Sequence, residues 1–331
     1  MNRIGIVGAG SWGTALAVTL AGKGHDVKIW DLDEGHLREL KQNRENRRYL
    51  PGVAFSESLA VCGTLEEALQ GVDVALFSAP AQHFRSALVS ALPYLAENMT
   101  VVNVAKGIEQ TTLKRMSEVA CEHIPGFAYA VLSGPSHAEE VGRFMPTTVA
   151  VASADVKTAE YVQDVFMTDR FRVYTNHDVA GVEFGGALKN IIALGAGISD
   201  GMGYGDNAKA AMMTRGIAEM ARLGVKLGAD AKTFSGLTGI GDLIVTCTSV
   251  HSRNRRCGVM IGEGMNPKEA VKKVGMVVEG MSTTEAAYEL AQQAGVEMPI
   301  TECIYNVIRE RIKARDAVDS LMRRDRKHES E

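Results

Sequence analysis

The chain has 331 residues, enough for about two domains of ~100–200 residues each. Hydrophobic residues make up 46% of it and charged residues 23%, a composition typical of an ordinary globular protein. The formal net charge of −4 at pH 7 argues against broad binding to nucleic acid or to an anionic membrane, so no nucleic-acid partner is expected.

The first predicted element is a strand at Ile4–Val7, and a glycine-rich turn follows it directly. The turn reads Gly8-Ala9-Gly10-Ser11-Trp12-Gly13 and opens an Ala/Leu-rich helix over Thr14–Ala21. In a dinucleotide-binding turn the first glycine allows the bend, the second lets the backbone approach a pyrophosphate, and the third lets the helix press against the strand. The helix N-terminus adds free N–H groups and the positive end of a dipole. This context favours nucleotide binding over an ordinary glycine-rich turn.

Strand-like and helix-like segments alternate through the first half of the chain, which predicts a parallel, doubly wound sheet. The strand-like runs are Ile4–Val7, Val27–Trp30, Val72–Ser78, Thr100–Val104, Ala128–Leu132 and Thr147–Ala152. Ligands gather at the carboxyl ends of the strands in such sheets. Lys106 follows the fourth of these runs, so we expect it to meet the ligand.

Two acidic residues, Asp31 and Asp33, follow the second strand, about where an acidic group meets the adenosine ribose of a dinucleotide. An acid at this point favours the free 2′-hydroxyl of NAD over the 2′-phosphate of NADP. Arg38 and Lys41 are close enough in sequence to leave the choice open. The expected cofactor is therefore NAD or NADP.

The periodicity of the chain becomes helical from about Val179. Helical patterns cover Ala211–Leu227, Thr283–Gln293 and Ile300–Ile312, and no strand-like run of comparable quality lies among them. We therefore expect an α/β protein. In it, a Rossmann-like, doubly wound parallel sheet in the N-terminal domain (residues 1–178) precedes an all-α C-terminal substrate and catalytic domain (residues 179–331).

Lys189 stands inside an apolar helical pattern, directly before Asn190, Ile191 and Ile192. A lysine in apolar surroundings resists its charge, so its pKa falls toward a range useful for catalysis, and a second cation such as Lys106 would lower that pKa further. Lys189 is thus a candidate proton donor or acceptor. The alternative is a lysine whose amine reaches solvent from a buried helix, and the spacing does not separate the two.

A second glycine-rich turn carries Asp242, which could orient a cationic lysine or a substrate hydroxyl, or could cap the short helix Leu243–Thr246. The cluster Ser252-Arg253-Asn254-Arg255-Arg256 follows it. A forked donor, an amide and free N–H groups at a helix start suit a phosphate on a small substrate. An exposed basic turn is the alternative, and Arg255 and Arg256 fit such an exposed face.

Two further loops offer polar groups to a ligand. Gly134, Ser136 and His137 follow the strand Ala128–Leu132 and supply a hydroxyl, backbone N–H groups and an imidazole. His137 is a candidate base, although a lone histidine in a loop is more often not catalytic. Glu279 follows a short apolar run, and an ordinary surface glutamate is the alternative there.

The five cysteines are scattered along the chain, and no pair has the CxxC spacing of a zinc site. We therefore expect neither a metal nor a disulfide framework, as in a reducing compartment. The chain enters a strand at once, without the apolar stretch of a signal peptide. No apolar run reaches the ~18 residues that span a bilayer, so a cytoplasmic protein without an integral membrane segment is expected.

Several of these motifs, in this order, resemble the bacterial-type NAD(P)-dependent glycerol-3-phosphate dehydrogenases. The resemblance runs through nearly the whole chain, and it rests on Gly8–Gly13, Tyr49-Leu50-Pro51-Gly52, Lys106-Gly107, Ser133-Gly134-Pro135, Gly185–Asn190, Gly241-Asp242-Leu243, Ser252–Arg255 and Val277–Gly280. It implies reversible reduction of dihydroxyacetone phosphate to sn-glycerol 3-phosphate, which feeds phospholipid synthesis. It also implies a cytoplasmic protein that is commonly a homodimer.

The resemblance also implies roles for individual residues. Lys189 matches the proton acceptor for glycerol-phosphate oxidation. The substrate site corresponds to Lys106, Gly134, Ser136, Asp242, Ser252, Arg253 and Asn254. The cofactor site corresponds to Gly8, Gly10, Ser11, Trp12, Gly13, Lys106, Ala138, Arg253, Val277 and Glu279. The chain departs from the family at Ser78-Ala79-Pro80-Ala81, and Trp30-Asp31-Leu32-Asp33 lacks an evident basic group for a 2′-phosphate.

Two other functions fit the nucleotide-binding turn. One is a different dehydrogenase on the same architecture, acting on a 3-hydroxy acid or a sugar-acid phosphate, although Arg253 and Asn254 argue for a phosphate. The other is a redox-sensing regulator that binds a dinucleotide without turning it over. Such a regulator has no need for Lys189 or for the anion cluster.

Overall fold

The N-terminal half of the chain forms one eight-stranded sheet in a computed structural model that describes residues 1–326 and 328. Its strands are β1 Arg3–Val7, β2 Asp26–Trp30, β3 Leu59–Val61, β4 Val74–Phe77, β5 Thr100–Asn103, β6 Ala128–Ser133, β7 Thr147–Ala152 and β8 Phe171–Asn176. Their order across the sheet is β3-β2-β1-β4-β5-β6-β7-β8. The chain moves outward from β1 in one direction and then from β4 in the other, so the switch point of the sheet lies between β1 and β4, where such sheets bind ligands.

The sheet confirms the predicted doubly wound architecture but differs from the prediction in two respects. The sequence predicted a parallel sheet, and all neighbouring strands are parallel except β6 and β7, which run antiparallel. The strands β3 and β8 were not predicted. β3 is only three residues long, and β8 alternates buried and exposed residues at an edge of the sheet, so neither shows the apolar run of a strand that is buried on both faces.

Seven helices cover the two faces of the sheet: α1 Ser11–Gly22, α2 Glu34–Asn43, α3 Leu65–Leu69, α4 Ala81–Ala91, α5 Met116–His123, α6 Ala138–Val141 and α7 Val156–Phe166. Successive strand residues point to opposite faces. Val74 and Leu76 accordingly belong to one hydrophobic cluster, whereas Ala75 and Phe77 belong to another. The continuous apolar runs in the sequence are therefore explained by burial on both sides.

The rest of the described chain is helical: α8 Val179–Gly201, α9 Asp206–Lys226, α10 Ala231–Phe234, α11 Asp242–Thr248, α12 Arg253–Gly262, α13 Pro267–Val274, α14 Glu279–Ala294, α15 Pro299–Ile308 and α16 Ala314–Met322. A short π-helical segment, Leu237–Gly241, leads into α11. These helices match the predicted all-α half, although α15 ends earlier than the predicted Ile312.

The long helix α8 is the centre of the helical half. It is long and apolar enough to cross a membrane, but 89% of its most apolar window is buried inside the protein, so it is a core helix here. α12 packs directly against α8. A side-chain carbon added at Gly258 of α12 would lie 2.1 Å from the carbonyl oxygen of Leu194 in α8, which shows how close the two backbones are. Only glycine allows this close approach of the two backbones.

We propose that the two domains divide at residues 178 and 179, in the short link between β8 and α8. The proposed C-terminal domain extends to residue 331, of which residues 327 and 329–331 lie outside the described part of the chain.

Candidate active site

A cleft of about 920 Å³ lies between the sheet and the helical half. It opens at the carboxyl ends of β1, β2, β4 and β5, and α8, α11, α12 and the start of α14 form its other wall. This volume is within the usual range of small-molecule sites, which is about 300–1,000 Å³. The cleft lies at the switch point of the sheet, the expected place for a ligand.

The glycine turn forms one end of the cleft. Gly8 has a φ of +108°, which a residue with a side chain rarely adopts. A carbon added at Gly13 would lie 2.0 Å from the carbonyl oxygen of Gly8, so α1 can approach the turn only because residue 13 is glycine. Gly10 lines the cleft, and a side chain there would meet nothing within 4 Å. Since no side chain caps α1, its first N–H groups are left for an anion such as a pyrophosphate.

Four residues that line the cleft carry a buried polar atom without a hydrogen-bond partner among the described residues: Nε1 of Trp12, Nδ1 of His36, Nε2 of His137 and Oε2 of Glu279. The other carboxylate oxygen of Glu279 accepts a hydrogen bond from the backbone N–H of Ala81, at 2.9 Å. Burial raises the pKa of Glu279. Because buried polar atoms normally have partners, these unpaired atoms fit a bound ligand that supplies the missing partners. Together with the glycine turn, they fit a dinucleotide.

The remaining residues predicted to contact the cofactor also lie along the cleft. Ala138 is buried as the first residue of α6, and Val277 is 44% exposed just before α14. Ser11 begins α1. All three line the cleft, as does Lys106. The structure therefore brings the predicted cofactor residues to one surface, except Gly13, which is buried where α1 packs on the turn.

A carboxylate held between two lysines forms the other end of the cleft. The Nζ atom of Lys189 donates to Oδ1 of Asp242 at 2.7 Å, and the Nζ atom of Lys106 donates to Oδ2 at 2.7 Å. Lys189 also donates to the hydroxyl of Thr246, at 2.7 Å, and Lys106 donates to the carbonyl of Gly134, at 2.8 Å. Each ammonium group thus uses two of its three donors and keeps one for a ligand.

Burial decides the charge state of this cluster. Lys189 is 6% exposed and Asp242 is 1% exposed. Burial lowers the pKa of Lys189 to about 8, with Lys106 adding to this effect and Asp242 opposing it. Burial also disfavours the charge on Asp242, but the two lysines outweigh it and hold the pKa of Asp242 below its usual value. The cluster therefore pairs a firmly ionised carboxylate with an amine that titrates close to neutral pH.

These contacts decide two questions that the sequence left open. Lys189 does not reach solvent from its helix, because its amine is buried against Asp242 and Thr246. Asp242 is the first residue of α11, but its side chain makes no capping hydrogen bond. Of the two predicted roles, its carboxylate therefore orients lysines and does not cap the helix.

The loop after β6 completes the lysine end of the cleft. Gly134 has a φ of +140°, and its carbonyl accepts hydrogen bonds from both Lys106 and the hydroxyl of Ser136, the latter at 2.9 Å. His137 lines the cleft as well, with its Nε2 atom buried and unpaired within the described part of the chain. Burial and then the charge of Lys189 lower the pKa of His137, which therefore stays neutral more readily than a free imidazole.

The predicted anion cluster lies at the start of α12, and its members do different things. The hydroxyl of Ser252 caps the helix by accepting from the N–H of Arg255, at 3.2 Å. Arg253 is partly buried and lines the cleft. Arg255 is tied to Asp200 at 2.7 Å away from the cleft, and Arg256 is exposed. Arg253 is thus the guanidinium of this cluster that lines the cleft.

An amide pair joins three helices behind the lysines. Asn254 donates to the side chain of Asn190 at 2.8 Å and accepts from the N–H of Gly280 at 2.8 Å. Asn190 in turn donates to the carbonyl of Lys106, at 3.2 Å. Asn254 was predicted as a substrate ligand, and the structure adds that its side chain connects α12 to α8 and to the start of α14.

Thr246 is a site residue that sequence reasoning missed. Its hydroxyl accepts from Lys189 and donates to the carbonyl of Asp242, at 2.6 Å. It stands four positions after Asp242 on the same helix, so the two side chains share one helix face. That spacing was the signal that could have identified it.

The chain matches one protein family along both halves. Residues 3–159 match the family described as NAD-dependent glycerol-3-phosphate dehydrogenase N-terminus, and residues 178–319 match the corresponding C-terminus.

Individual proteins give the same result. A protein of Bacillus mycoides named glycerol-3-phosphate dehydrogenase (NAD(P)+) is 54% identical to this chain, covering 100% of the chain and 98% of that protein. The protein of the same name from Bacillus pumilus is 52% identical, covering 100% of the chain and 97% of that protein. A crystal structure of glycerol-3-phosphate dehydrogenase from Coxiella burnetii superposes with a TM-score of 0.94 at 39% identity, covering 98% of this chain and 99% of that one.

Proposed function

The chain belongs to the NAD-dependent glycerol-3-phosphate dehydrogenase family, and we propose that its cleft catalyses the reversible NAD(P)H-dependent reduction of dihydroxyacetone phosphate to sn-glycerol 3-phosphate. The observation that carries this proposal is the buried cluster in which Asp242 bridges Lys189 and Lys106 in the same cleft as the glycine turn. A redox-sensing protein that only binds a dinucleotide has no need for such a proton-donating group.

The glycine turn and the uncapped N-terminus of α1 would hold the pyrophosphate of the cofactor. Trp12 and Glu279 would offer it their unpaired polar atoms. When bound, the reduced nicotinamide supplies the two-electron reduction of the carbonyl carbon. The chain itself positions the ketone against the cofactor, which replaces a bimolecular encounter with an oriented one.

Lys189 is the proton donor in ketone reduction and the proton acceptor in alcohol oxidation. Asp242 and Thr246 take two of its donors, and because Lys189 lines the cleft, its third N–H is left for a substrate. Negative charge develops on the carbonyl oxygen as the carbon is reduced, and the ammonium of Lys189 stabilises that charge before transferring its proton. With a pKa of about 8, the amine can donate and recover a proton near neutral pH.

Lys106 and Asp242 set the conditions for this transfer. The charge of Lys106 disfavours a second cation nearby and so makes Lys189 a stronger acid. Asp242 keeps both amines in place, and its negative charge prevents Lys189 from losing its proton before substrate arrives. Lys106 also has one donor left for the substrate.

Arg253 anchors the phosphate of the substrate. Its guanidinium lines the cleft at the start of α12, where the helix N-terminus also favours an anion. Ser136, Ser252 and Asn254 complete the wall around the three-carbon chain, and Gly134 acts through its carbonyl, which accepts a hydrogen bond from Lys106.

We expect Arg253→Ala to weaken capture of the phosphorylated substrate, raising the KM for dihydroxyacetone phosphate by about 10- to 100-fold with a smaller effect on kcat. The reason is that a charge-assisted hydrogen bond to the phosphate is lost while the lysine cluster is left intact. The matched control is Arg256→Ala, since Arg256 is an exposed guanidinium on the same helix. If KM and kcat were both unchanged in Arg253→Ala, the anion site would lie elsewhere.

The pH dependence of the two directions should be opposite. Ketone reduction needs Lys189 protonated, so its kcat should fall as pH rises through the amine's pKa of about 8. Alcohol oxidation needs the neutral amine, so its kcat should rise through the same pH. Measuring kcat in both directions across this range tests the assignment, and profiles that change in the same direction would contradict it.

The most direct test of the reaction is the initial rate of cofactor oxidation with dihydroxyacetone phosphate, followed by nicotinamide absorbance. We expect turnover with this substrate and little with dihydroxyacetone, which lacks the phosphate that Arg253 holds. Turnover of a 3-hydroxy acid instead would indicate a different dehydrogenase. Cofactor binding without turnover of any substrate would indicate a regulator.

The protein works in the cytoplasm as a homodimer, and its product supplies glycerophospholipid synthesis. The free state of all five cysteines agrees with a reducing compartment. Apolar side chains are exposed at Ile240 (42%), Ile244 (48%) and Val250 (69%). These exposed side chains support a homodimer in which the second subunit covers this surface. The molar mass in solution, measured by light scattering, tests the dimer directly.

A further inference from the structure

Two carboxylates, those of Asp31 and Asp33, line the cleft directly after β2. β2 pairs in parallel with β1, with Val7 opposite Trp30, so Asp31 comes level with the glycine turn. Its Oδ2 atom accepts from the N–H of Ala9 at 2.7 Å, and its Oδ1 atom accepts from the N–H of Asp33 at 3.1 Å. These two contacts fix the carboxylate beside the turn and leave one lone pair on each oxygen for a ligand.

This end of β2 is where the adenosine ribose lies in dinucleotide-binding folds of this type. A carboxylate at this point can accept hydrogen bonds from ribose hydroxyls, including the 2′-hydroxyl of NAD. In NADP the 2′ position carries a phosphate instead, with a charge of about −2. Two carboxylates beside that phosphate would repel it.

Two arginines close in sequence to these carboxylates are already paired. Arg48 forms an ion pair with Asp33 at 3.1 Å, and its guanidinium lies 5.1 Å from the ring of Tyr49, which lines the cleft. Arg38 pairs with Glu34 at 3.6 Å. None of the residues Arg38, Lys41 and Arg48 is part of the cleft wall.

The basic residues that do form the cleft wall, within residues 1–326 and 328, lie away from β2. Lys106, Lys189 and Arg253 belong to the substrate end, and Lys272 comes from α13 in the helical half. Around the end of β2 the charged lining residues are Asp31 and Asp33, and Arg48 pairs with only the second of these two carboxylates.

We infer that this chain selects NAD(H) over NADP(H), and that Asp31 and Asp33 are the residues that determine the selection. The inference rests on the proposed function and refines it by naming the cofactor. Asp31 offers the acceptor for the 2′-hydroxyl. Asp33 repels a 2′-phosphate. It also forms an ion pair with Arg48, so this cation is not free to attract the phosphate.

Asp33 repels a 2′-phosphate and also neutralises Arg48, so removing its carboxylate should favour NADPH in two ways. Asp33→Ser deletes the carboxylate but keeps a good N-cap for α2, where the side chain of Asp33 now accepts from the N–H of His36 at 3.0 Å. Arg48 is then unpaired and free to meet a 2′-phosphate. The change should therefore tighten NADPH binding and leave NADH binding almost unchanged.

The test is the equilibrium Kd of NADH and of NADPH for the whole protein, measured by titration calorimetry without substrate. We expect the wild type to bind NADH at least about 10-fold more tightly than NADPH, and Asp33→Ser to reduce that ratio by about 10-fold. The matched control is Glu34→Gln, which breaks the Arg38 ion pair outside the cleft and should leave the ratio unchanged. In the double variant Asp33→Ser/Arg48→Gln the gain in NADPH binding should disappear.

Equal or tighter binding of NADPH by the wild type would overturn the inference, and so would an Asp33→Ser variant that folds with the wild-type ratio. The proposed function is tested separately by turnover. A protein that binds NADH selectively but does not oxidise it with dihydroxyacetone phosphate would contradict the reaction and not the cofactor choice. Turnover with NADPH in preference to NADH would contradict the cofactor choice and not the reaction.

Discussion

Lys189→Ala should lower kcat for dihydroxyacetone phosphate reduction by about 10²-fold or more while leaving the Kd of the cofactor almost unchanged. The amine is the group that stabilises and protonates the carbonyl oxygen, and it contacts Asp242 and Thr246 at the substrate end of the cleft. The glycine turn that holds the cofactor lies at the other end. Steady-state kinetics and a cofactor titration of the same preparation measure the two effects.

Two comparisons make this result interpretable. Lys189→Met keeps most of the side-chain volume, so a similar loss of kcat in both variants shows that the amine matters and not the packing of α8. Asp242 keeps Lys106 as a partner in both variants, so the fold should persist, which thermal unfolding checks. Near-normal turnover in either variant would contradict the role of Lys189.

Asp242→Ala should reduce both turnover and stability. It leaves two lysines without their shared carboxylate, and the loss of a partner from a buried ion pair costs about 3–5 kcal/mol of unfolding free energy. The pKa of Lys189 should fall further, because the nearby charge of Asp242 raises it in the wild type. The amine is then largely neutral at pH 7, and we expect ketone reduction to slow by about 10²-fold.

The matched control is Asp200→Ala. Asp200 also pairs with two cations, Lys209 at 2.9 Å and Arg255 at 2.7 Å, but it is outside the cleft wall. The Asp200→Ala variant should be less stable in chemical denaturation. Unlike Asp242→Ala, it should show neither a large loss of kcat nor a shifted pH profile. If Asp242→Ala kept the wild-type pH midpoint, the carboxylate would not control the charge of Lys189.

The sheet was largely predictable because most of its strands are buried on both faces and read as continuous apolar runs. The strand Thr147–Ala152 was predicted with its observed bounds, but its direction was not. Whether β7 runs parallel or antiparallel to β6 depends on the path of the loop that connects them. The hydrophobic periodicity of the sequence carries no information about that path. The strand Phe171–Asn176 was missed because its exposed face carries Arg172 and Tyr174 between the buried residues.

The site was predictable as a set of candidates but not as a set of contacts. Lys189 was identified from its apolar surroundings, and Asp242 from the glycine-rich turn around it. Their hydrogen bond joins residues 53 positions apart, and only the fold brings them together. The same limit applies to Arg255, which looks like its neighbour Arg253 in the sequence but turns to Asp200 in the structure.

The most direct test of the account is a crystal structure of the protein with dihydroxyacetone phosphate and the oxidised cofactor. We predict that Nζ of Lys189 will lie within hydrogen-bond distance, about 2.6–3.2 Å, of the carbonyl oxygen, with Arg253 on the phosphate. A ketone whose oxygen is bound by other groups, with the amine of Lys189 contacting only Asp242 and Thr246, would contradict it.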